Sequence, residues 1–311
     1  MISLEEQKRF IKTVKNACDF FRSIRIWPLE ANLDYEGWVN NFNGTQDQYL
    51  ASIILWHFIY YPQSMIQKLL YDAVGNACGH FKESNLCWQH DHHKRNVFYS
   101  FIPGERPNPT DSGFTYLKIA RDFLHIPTEQ IINFSDIENK LGYIYTKYKI
   151  VFLDDFIGSG AQCCKALNSL GRDGIKIIEL ARRGGHQLVY APIIANTVGL
   201  ELIEKSCPNL IVAPGQILGK EYNIFEKESL CWENDEELWH AGTDMILRYS
   251  KQLGIPDDAN EENSARGYHN QGLTIAFEYG IPDAVPALFY FNESDWKPLM
   301  HREYERIGNN E

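Results

Sequence analysis

Residues 151–162 read Val-Phe-Leu-Asp-Asp-Phe-Ile-Gly-Ser-Gly-Ala-Gln. A short apolar run, Lys149 to Leu153, has the look of a strand covered on both faces. Two carboxylates follow, Asp154 and Asp155, and a charge pair is expected at the carboxyl edge of a sheet rather than inside it. In open α/β sheets that edge is where ligands bind. Gly158 and Gly160 flank Ser159, and a helix is expected to start at Ala161. Glycines let the backbone approach an anion closely. Successive N–H groups before a helix form an anion cradle, to which Ser159 adds a hydroxyl and Gln162 an amide. Gly160 is placed where the phosphate lies against the backbone. Carboxylates beside a phosphate cradle suit a sugar phosphate, with Asp154 and Asp155 on the ribose hydroxyls directly or through Mg²⁺. The alternative is a strand–turn–helix junction of another α/β fold, flavodoxin-like or phosphatase-like. The run is not a Walker A loop, because no Gly-Lys-Ser/Thr ends it.

Other residues invite chemistry less strongly. Cys78, His80, Cys87, His90, His92 and His93 cluster, but Cys-x-His-x₆-Cys-x₂-His is not a standard zinc spacing, and a polar helix end or loop is the plainer reading. Arg182, Arg183, Gly184 and Gly185 read as a solvated turn, with a cation site for pyrophosphate or a nucleotide as the functional alternative. Trp27, Trp38, Trp56 and Trp88 read as core or interface anchors. The acidic stretch Glu233 to Glu237 reads as a helix N-terminus favoured by the dipole.

The elements that must position these residues change in texture along the chain. Residues 1 to about 90 read as helical: Phe10, Ile11, Val14, Ala17, Cys18 and Phe21 mark one helical face. A second helix is expected from Thr45 and a third after Pro62. From about residue 95, strands alternate with helices. Strands are expected at 96–102, 149–153, 187–195 and 209–213, and helices at 113–124, 161–170, 197–205 and 234–253. Two late strands are expected at 273–277 and 287–291. The alternation predicts an α/β fold with a mainly parallel sheet and flanking helices. Residues 1–94 form a helical N-terminal portion and 95–311 the α/β domain. The 311 residues carry 30 Lys plus Arg against 41 Asp plus Glu, a net charge of −11. A globally acidic chain does not attract nucleic acid by itself. Seven cysteines, with Cys163 and Cys164 adjacent, argue against a disulfide framework. No apolar run of membrane-spanning length and no signal segment is apparent, so the expectation is a reduced cytoplasmic protein with no membrane partner.

At Asp154–Gln162 the chain resembles the type I phosphoribosyltransferases, whose loop runs from an apolar strand through two acids and a Thr/Gly-rich turn into a helix. The resemblance implies that Asp154 and Asp155 act at the ribose and hold Mg²⁺. It implies that Gly158, Ser159, Gly160, Ala161 and Gln162 surround the 5′-phosphate. Ser-Gly stands where Thr-Gly is usual, and Gln162 where Thr or Ser is usual. It also implies a pyrophosphate loop over residues 101–113, with Ser112 and Gly113 at the next helix start and Arg106 and Arg121 as cations within reach. Overall the chain is most similar to the phosphoribosyltransferase-like effectors found beside reverse transcriptases in antiphage retrons. That similarity rests on Asp-Asp-Phe-x-Gly-Ser-Gly and on the segment Gly267 to Tyr290. It implies an effector that acts on phosphoribosyl pyrophosphate or a nucleotide and is toxic when released by partners, a reverse transcriptase–nucleic acid complex and an accessory protein. The alternative is a catalytically inactive nucleotide-binding or complex-forming module on the same fold.

Overall fold

The computed structural model describes residues 2–81, 96–104, 112–143, 145–171 and 173–302. Contacts divide the chain into two compact units, residues 1–63 with 219–311, and residues 64–218. The expected boundary at 94/95 therefore falls inside the second unit. The texture change marks where the strands of the main sheet begin, whereas residues 1–63 and 219–311 share one unit.

The second unit carries the main sheet. In chain order it contains α1 (Gln63–His80), β1 (Phe98–Phe101), α2 (Ser112–Leu124), α3 (Phe134–Leu141) and β2 (Lys149–Ile157). Then come α4 (Ala161–Leu167), α5 (Ile177–Gly184), β3 (Gln187–Asn196), α6 (Thr197–Ser206), β4 (Ile211–Val212) and β5 (Gln216–Leu218). The spatial order β1-β2-β3-β4 follows the sequence, all pairings are parallel, and β5 also pairs with β3. Parallel neighbours require a crossover, and each intervening stretch supplies one or two helices. Ile150 and Phe152 of β2, with Leu188 and Tyr190 of β3, share a core with Ile137, Leu141, Leu167, Ile178 and Ile203 from α3 to α6. Val151, Leu153, Val189 and Ala191 alternate onto the opposite face and are equally buried, the period-two rule of a strand covered on both sides. The expected strand at 209–213 contracts to Ile211–Val212.

The first unit is mainly helical, with helices at Leu4–Ser23, Tyr35–Asn40, Gly44–Trp56 and Glu236–Gln252. The acidic stretch opens the last of these as expected: the Asp235 carboxylate caps it by accepting from the Leu238 N–H at 3.0 Å. Residues 59–61, expected to be helical or linking, form a strand that pairs in parallel with Ile275–Phe277. The late strand expected at 287–291 is instead a 3₁₀ turn, Ala287–Phe289, following Pro286. Side-chain donors that take the buried Leu288 carbonyl explain the difference. Leu288 accepts indole N–H bonds from Trp38 and Trp296, each 3.1 Å, and Phe289 stacks on Trp38 at 4.9 Å. Trp27 and Trp38 are core residues as expected, while Trp56 is half exposed. Trp88 lies outside the described residues. Among the described residues no helix is long and apolar enough to cross a membrane.

Candidate functional site

Strand β2 does not stop before the acid pair. It runs to Ile157, because β3 continues to pair with it through Asp154↔Pro192, Phe156↔Ile194 and Ile157↔Ala195. On its other side β1 pairs only as far as Phe101↔Leu153. The acids thus lie where β2 outruns β1, towards the carboxyl end of the sheet.

Asp154 is therefore inside the strand, only 5% exposed. A bare carboxylate there would be costly, and its local partners show how the cost is met. Tyr190 lies two residues before Pro192, Asp154's register partner, and so on the same face as a diagonal neighbour. Its hydroxyl donates to Asp154 Oδ2 at 2.6 Å, and the Asp155 N–H donates to Asp154 Oδ1 at 3.0 Å. Burial, and then the neighbouring Asp155 charge, push the Asp154 carboxyl well above the usual carboxylate range. Burial also pushes the Tyr190 hydroxyl up, so it remains a proton donor at neutral pH. The pair expected to act together on a ligand is thus divided. Asp154, whose oxygens both already accept bonds from the protein, faces the core. Asp155 alternates to the opposite face, is half-buried, and accepts the Phe156 N–H at 2.8 Å.

The turn that follows is shaped by packing. Gly160 has φ +76°, and a Cβ there would lie 2.6 Å from the Gly199 carbonyl oxygen and 3.1 Å from Ile203. Reciprocally, a Cβ on Gly199 would lie 2.4 Å from the Gly158 carbonyl oxygen. Gly160 is therefore required by its left-handed backbone and by close contact with α6. Ser159 Oγ accepts the Ala161 N–H at 3.3 Å. Among the described residues no hydrogen bond takes the Ser159 or Gly160 N–H. The following helix α4 has only seven residues. Gln162, expected at the phosphate, donates its amide to the carbonyls of Ile102 and Pro103 at 3.4 and 3.2 Å. A Thr or Ser hydroxyl is too short for this reach, and the glutamine ties α4 to the segment leaving β1. Replacing Gln162 with Leu should lower stability by roughly 0.5–1 kcal/mol, read as a lower urea midpoint. An unchanged midpoint would show that the amide is not structural.

The second expected loop is only partly described. Arg106 lies outside the described residues, and Ser112 opens α2. A Cβ on Gly113 would lie 2.4 Å from the Phe101 ring, so this glycine also serves packing. Arg121 lies on the helix that follows the loop. It is nine residues along α2 from Ser112, roughly 14 Å at 1.5 Å per residue, and it pairs with Asp122 at 2.7 Å. Arg182 and Arg183 are not in a turn but in the last turn of α5, both bonded to Glu179 at 2.7–2.8 Å. Their helix leads into the amino end of β3, opposite the edge that carries Asp155. Gly185 ends the helix with φ +66°. Cys78 and His80 lie in the last turns of α1; Cys87, His90, His92 and His93 are outside the described residues. Among the described residues no three His, Cys, Asp or Glu groups gather to hold a metal. Asp154 is 5% exposed and accepts a protein bond on each oxygen, so Asp155 is the more accessible of the two carboxylates to a cation. Asp155 fits a cation held mainly by substrate oxygens and water, as Mg²⁺ commonly is.

Two residues of the site escaped sequence reading. Tyr190 was the one polar tip in the apolar run Leu-Val-Tyr-Ala-Pro-Ile-Ile-Ala. Gly199 was a small residue in the first turn of α6, three after Asn196, whose side chain caps that helix by accepting the Val198 N–H at 3.0 Å. The site that results is a half-buried carboxylate, a tight Gly-Ser-Gly turn and a braced neighbouring loop at the carboxyl end of a parallel sheet. No curated protein matches the chain. A family model described as PRTase-CE matches residues 35–302, a span that takes in the whole of this site, and with a sheet and loop of the phosphoribosyltransferase-like kind the chain belongs to the PRTase-CE family.

Proposed function

We propose that the chain binds a phosphorylated ribose, phosphoribosyl pyrophosphate or a nucleotide, at Asp155 to Gln162 and transfers or cleaves at the anomeric carbon. The observation that carries this reading is a half-buried carboxylate four residues before Ser159, on the strand that leads into a turn whose Ser159 and Gly160 N–H groups no described residue engages. Asp155 would orient the ribose hydroxyls, and the Gly158–Ala161 turn would hold the 5′-phosphate. Mg²⁺, when bound with the substrate, would neutralise charge developing on a pyrophosphate leaving group. Breaking the bond at the anomeric carbon passes through an oxocarbenium-like state, which needs positioning and electrostatic support more than a strong nucleophile. Asp154 acts behind Asp155 rather than on the sugar. The resemblance in the Asp-Asp-Phe-Ile-Gly-Ser-Gly run and in Gly267–Tyr290 extends the reading to a cytoplasmic effector of antiphage defence of the retron type. Such an effector would be held in check by a reverse transcriptase–nucleic acid complex and an accessory protein, and toxic when released.

One observation favours a second reading. Gln162 spends its amide on Ile102 and Pro103, where a loop built for transfer would offer a hydroxyl to the phosphate. A nucleotide-binding module without catalysis has the same fold. Incubating the purified chain with phosphoribosyl pyrophosphate or nucleotides, with and without Mg²⁺, separates the two. Metal-dependent release of pyrophosphate or free base is expected from the enzyme. Calorimetric binding without turnover would make the chain a binding module, and neither binding nor turnover would remove the sugar-phosphate site.

A further inference from the structure

Asp155 is held in place by a bracket behind it. Its N–H is bonded to Asp154 Oδ1 at 3.0 Å, and Asp154 Oδ2 is bonded to the Tyr190 hydroxyl at 2.6 Å. Asp154 and Tyr190 are 5% and 3% exposed, so water does not compete for these bonds, and Tyr190 is anchored in the core that α3–α6 build on the sheet. A carboxylate on a side chain as short as that of aspartate is well placed only if its backbone is fixed. Here β1 ends at Phe101, the register partner of Leu153, two residues before Asp155 along β2. The side-chain bracket acts just past the end of that pairing.

We infer that Tyr190, acting through Asp154, is a positioning residue that sets the orientation of Asp155 towards the 2- and 3-hydroxyls of a bound ribose 5-phosphate. The inference rests on the sugar-phosphate reading proposed above. It assigns discrimination between hydroxylated and dehydroxylated sugars to a residue that itself never meets the sugar.

The test compares affinities of the full chain for ribose 5-phosphate and for 2,3-dideoxyribose 5-phosphate, which keeps the phosphate and lacks the two hydroxyls. The wild type should prefer the hydroxylated sugar by on the order of tenfold or more, the worth of a hydrogen bond to a charged group. Tyr190→Phe should bring the ratio close to one while leaving the affinity for the dideoxy sugar nearly unchanged. A general structural lesion would weaken both ligands alike and leave the ratio intact. Asp154→Ala should collapse the ratio in the same way, and Tyr190→Phe added to Asp154→Ala should do nothing further, because both act along one path. Should Tyr190→Phe melt too early to titrate, Asp154→Ala carries the comparison. If Asp155→Asn abolishes the preference but Tyr190→Phe and Asp154→Ala keep it, the positioning role is overturned and the sugar-phosphate site stands. If the wild type shows no preference between the sugars, the site at Asp155 and the role of Tyr190 fall together.

Discussion

Gly160→Val is expected to lower the melting temperature by roughly 10 °C in a unit of this size, and to lose ligand binding as a consequence. Two costs add. A β-branched residue at φ +76° carries about 1–2 kcal/mol or more of left-handed strain. Its Cβ would also meet the Gly199 carbonyl oxygen at 2.6 Å, and forcing two backbones apart typically costs about 1–3 kcal/mol. For a domain of about 150–250 residues each kcal/mol shifts melting by about 2–4 °C. Gly199→Val should behave alike, since its Cβ would collide with the Gly158 carbonyl, although Gly199 is 39 residues away from Gly160 in sequence. Ser159→Ala, which loses one 3.3 Å bond to a backbone N–H, should melt close to the wild type. Differential scanning calorimetry of the three variants decides the matter. A Gly160→Val protein that melts with the wild type would show that the contact with α6 is slack.

The origin of that contact illustrates what the sequence holds and what it hides. The apolar runs at 149–153 and 187–195 are legible as covered strands, because burial on both faces leaves no polar residue to interrupt them. The Gly-Ser-Gly turn is legible as a turn. The reason for its second glycine is not, because Gly199 belongs to another helix and nothing near Gly160 in sequence points to it. Asp154 is misread for a similar reason. Two adjacent carboxylates are expected at the strand's end, yet both lie within it, and the buried one is accommodated by Tyr190, 36 residues later. The position of Arg182 and Arg183 was available locally. Glu179 stands three and four residues before them, the spacing of ion pairs along a helix, and both arginines use it. Of the two late strands expected, the first forms at Ile275–Phe277, whereas at 287–291 indole donors from Trp38 and Trp296 capture the Leu288 carbonyl and the chain turns.

Asp155→Asn should reduce affinity for phosphoribosyl pyrophosphate or ribose 5-phosphate by roughly 10- to 150-fold, the loss of about 1.5–3 kcal/mol for one hydrogen bond to a charged group. The amide keeps the volume and can still accept the Phe156 N–H, so the melting temperature should hardly move. Asp154→Asn should be milder in affinity. Burial and the Asp155 charge already favour the protonated form of Asp154, and an amide resembles that form in shape and charge. The sign of its pH effect follows. A carboxyl whose folded pKa is raised stabilises the fold fully below its unfolded value, near 4, and loses that contribution as pH rises towards the folded value. Relative to Asp154→Asn, the wild type should therefore lose stability as pH is raised from about 4 upward. Isothermal titration at neutral pH, with melting curves across the pH range, checks both variants. Equal losses of affinity for Asp154→Asn and Asp155→Asn would return the two carboxylates to a shared role on the ligand.

A crystal structure of the chain with ribose 5-phosphate bound tests the central claim most directly. The account predicts the 5′-phosphate against the N–H groups of Ser159 and Gly160, the ribose hydroxyls at the Asp155 carboxylate, and Asp154 still bonded to Tyr190. A sugar phosphate bound away from this turn, or one whose hydroxyls displace Tyr190 from Asp154, would contradict it.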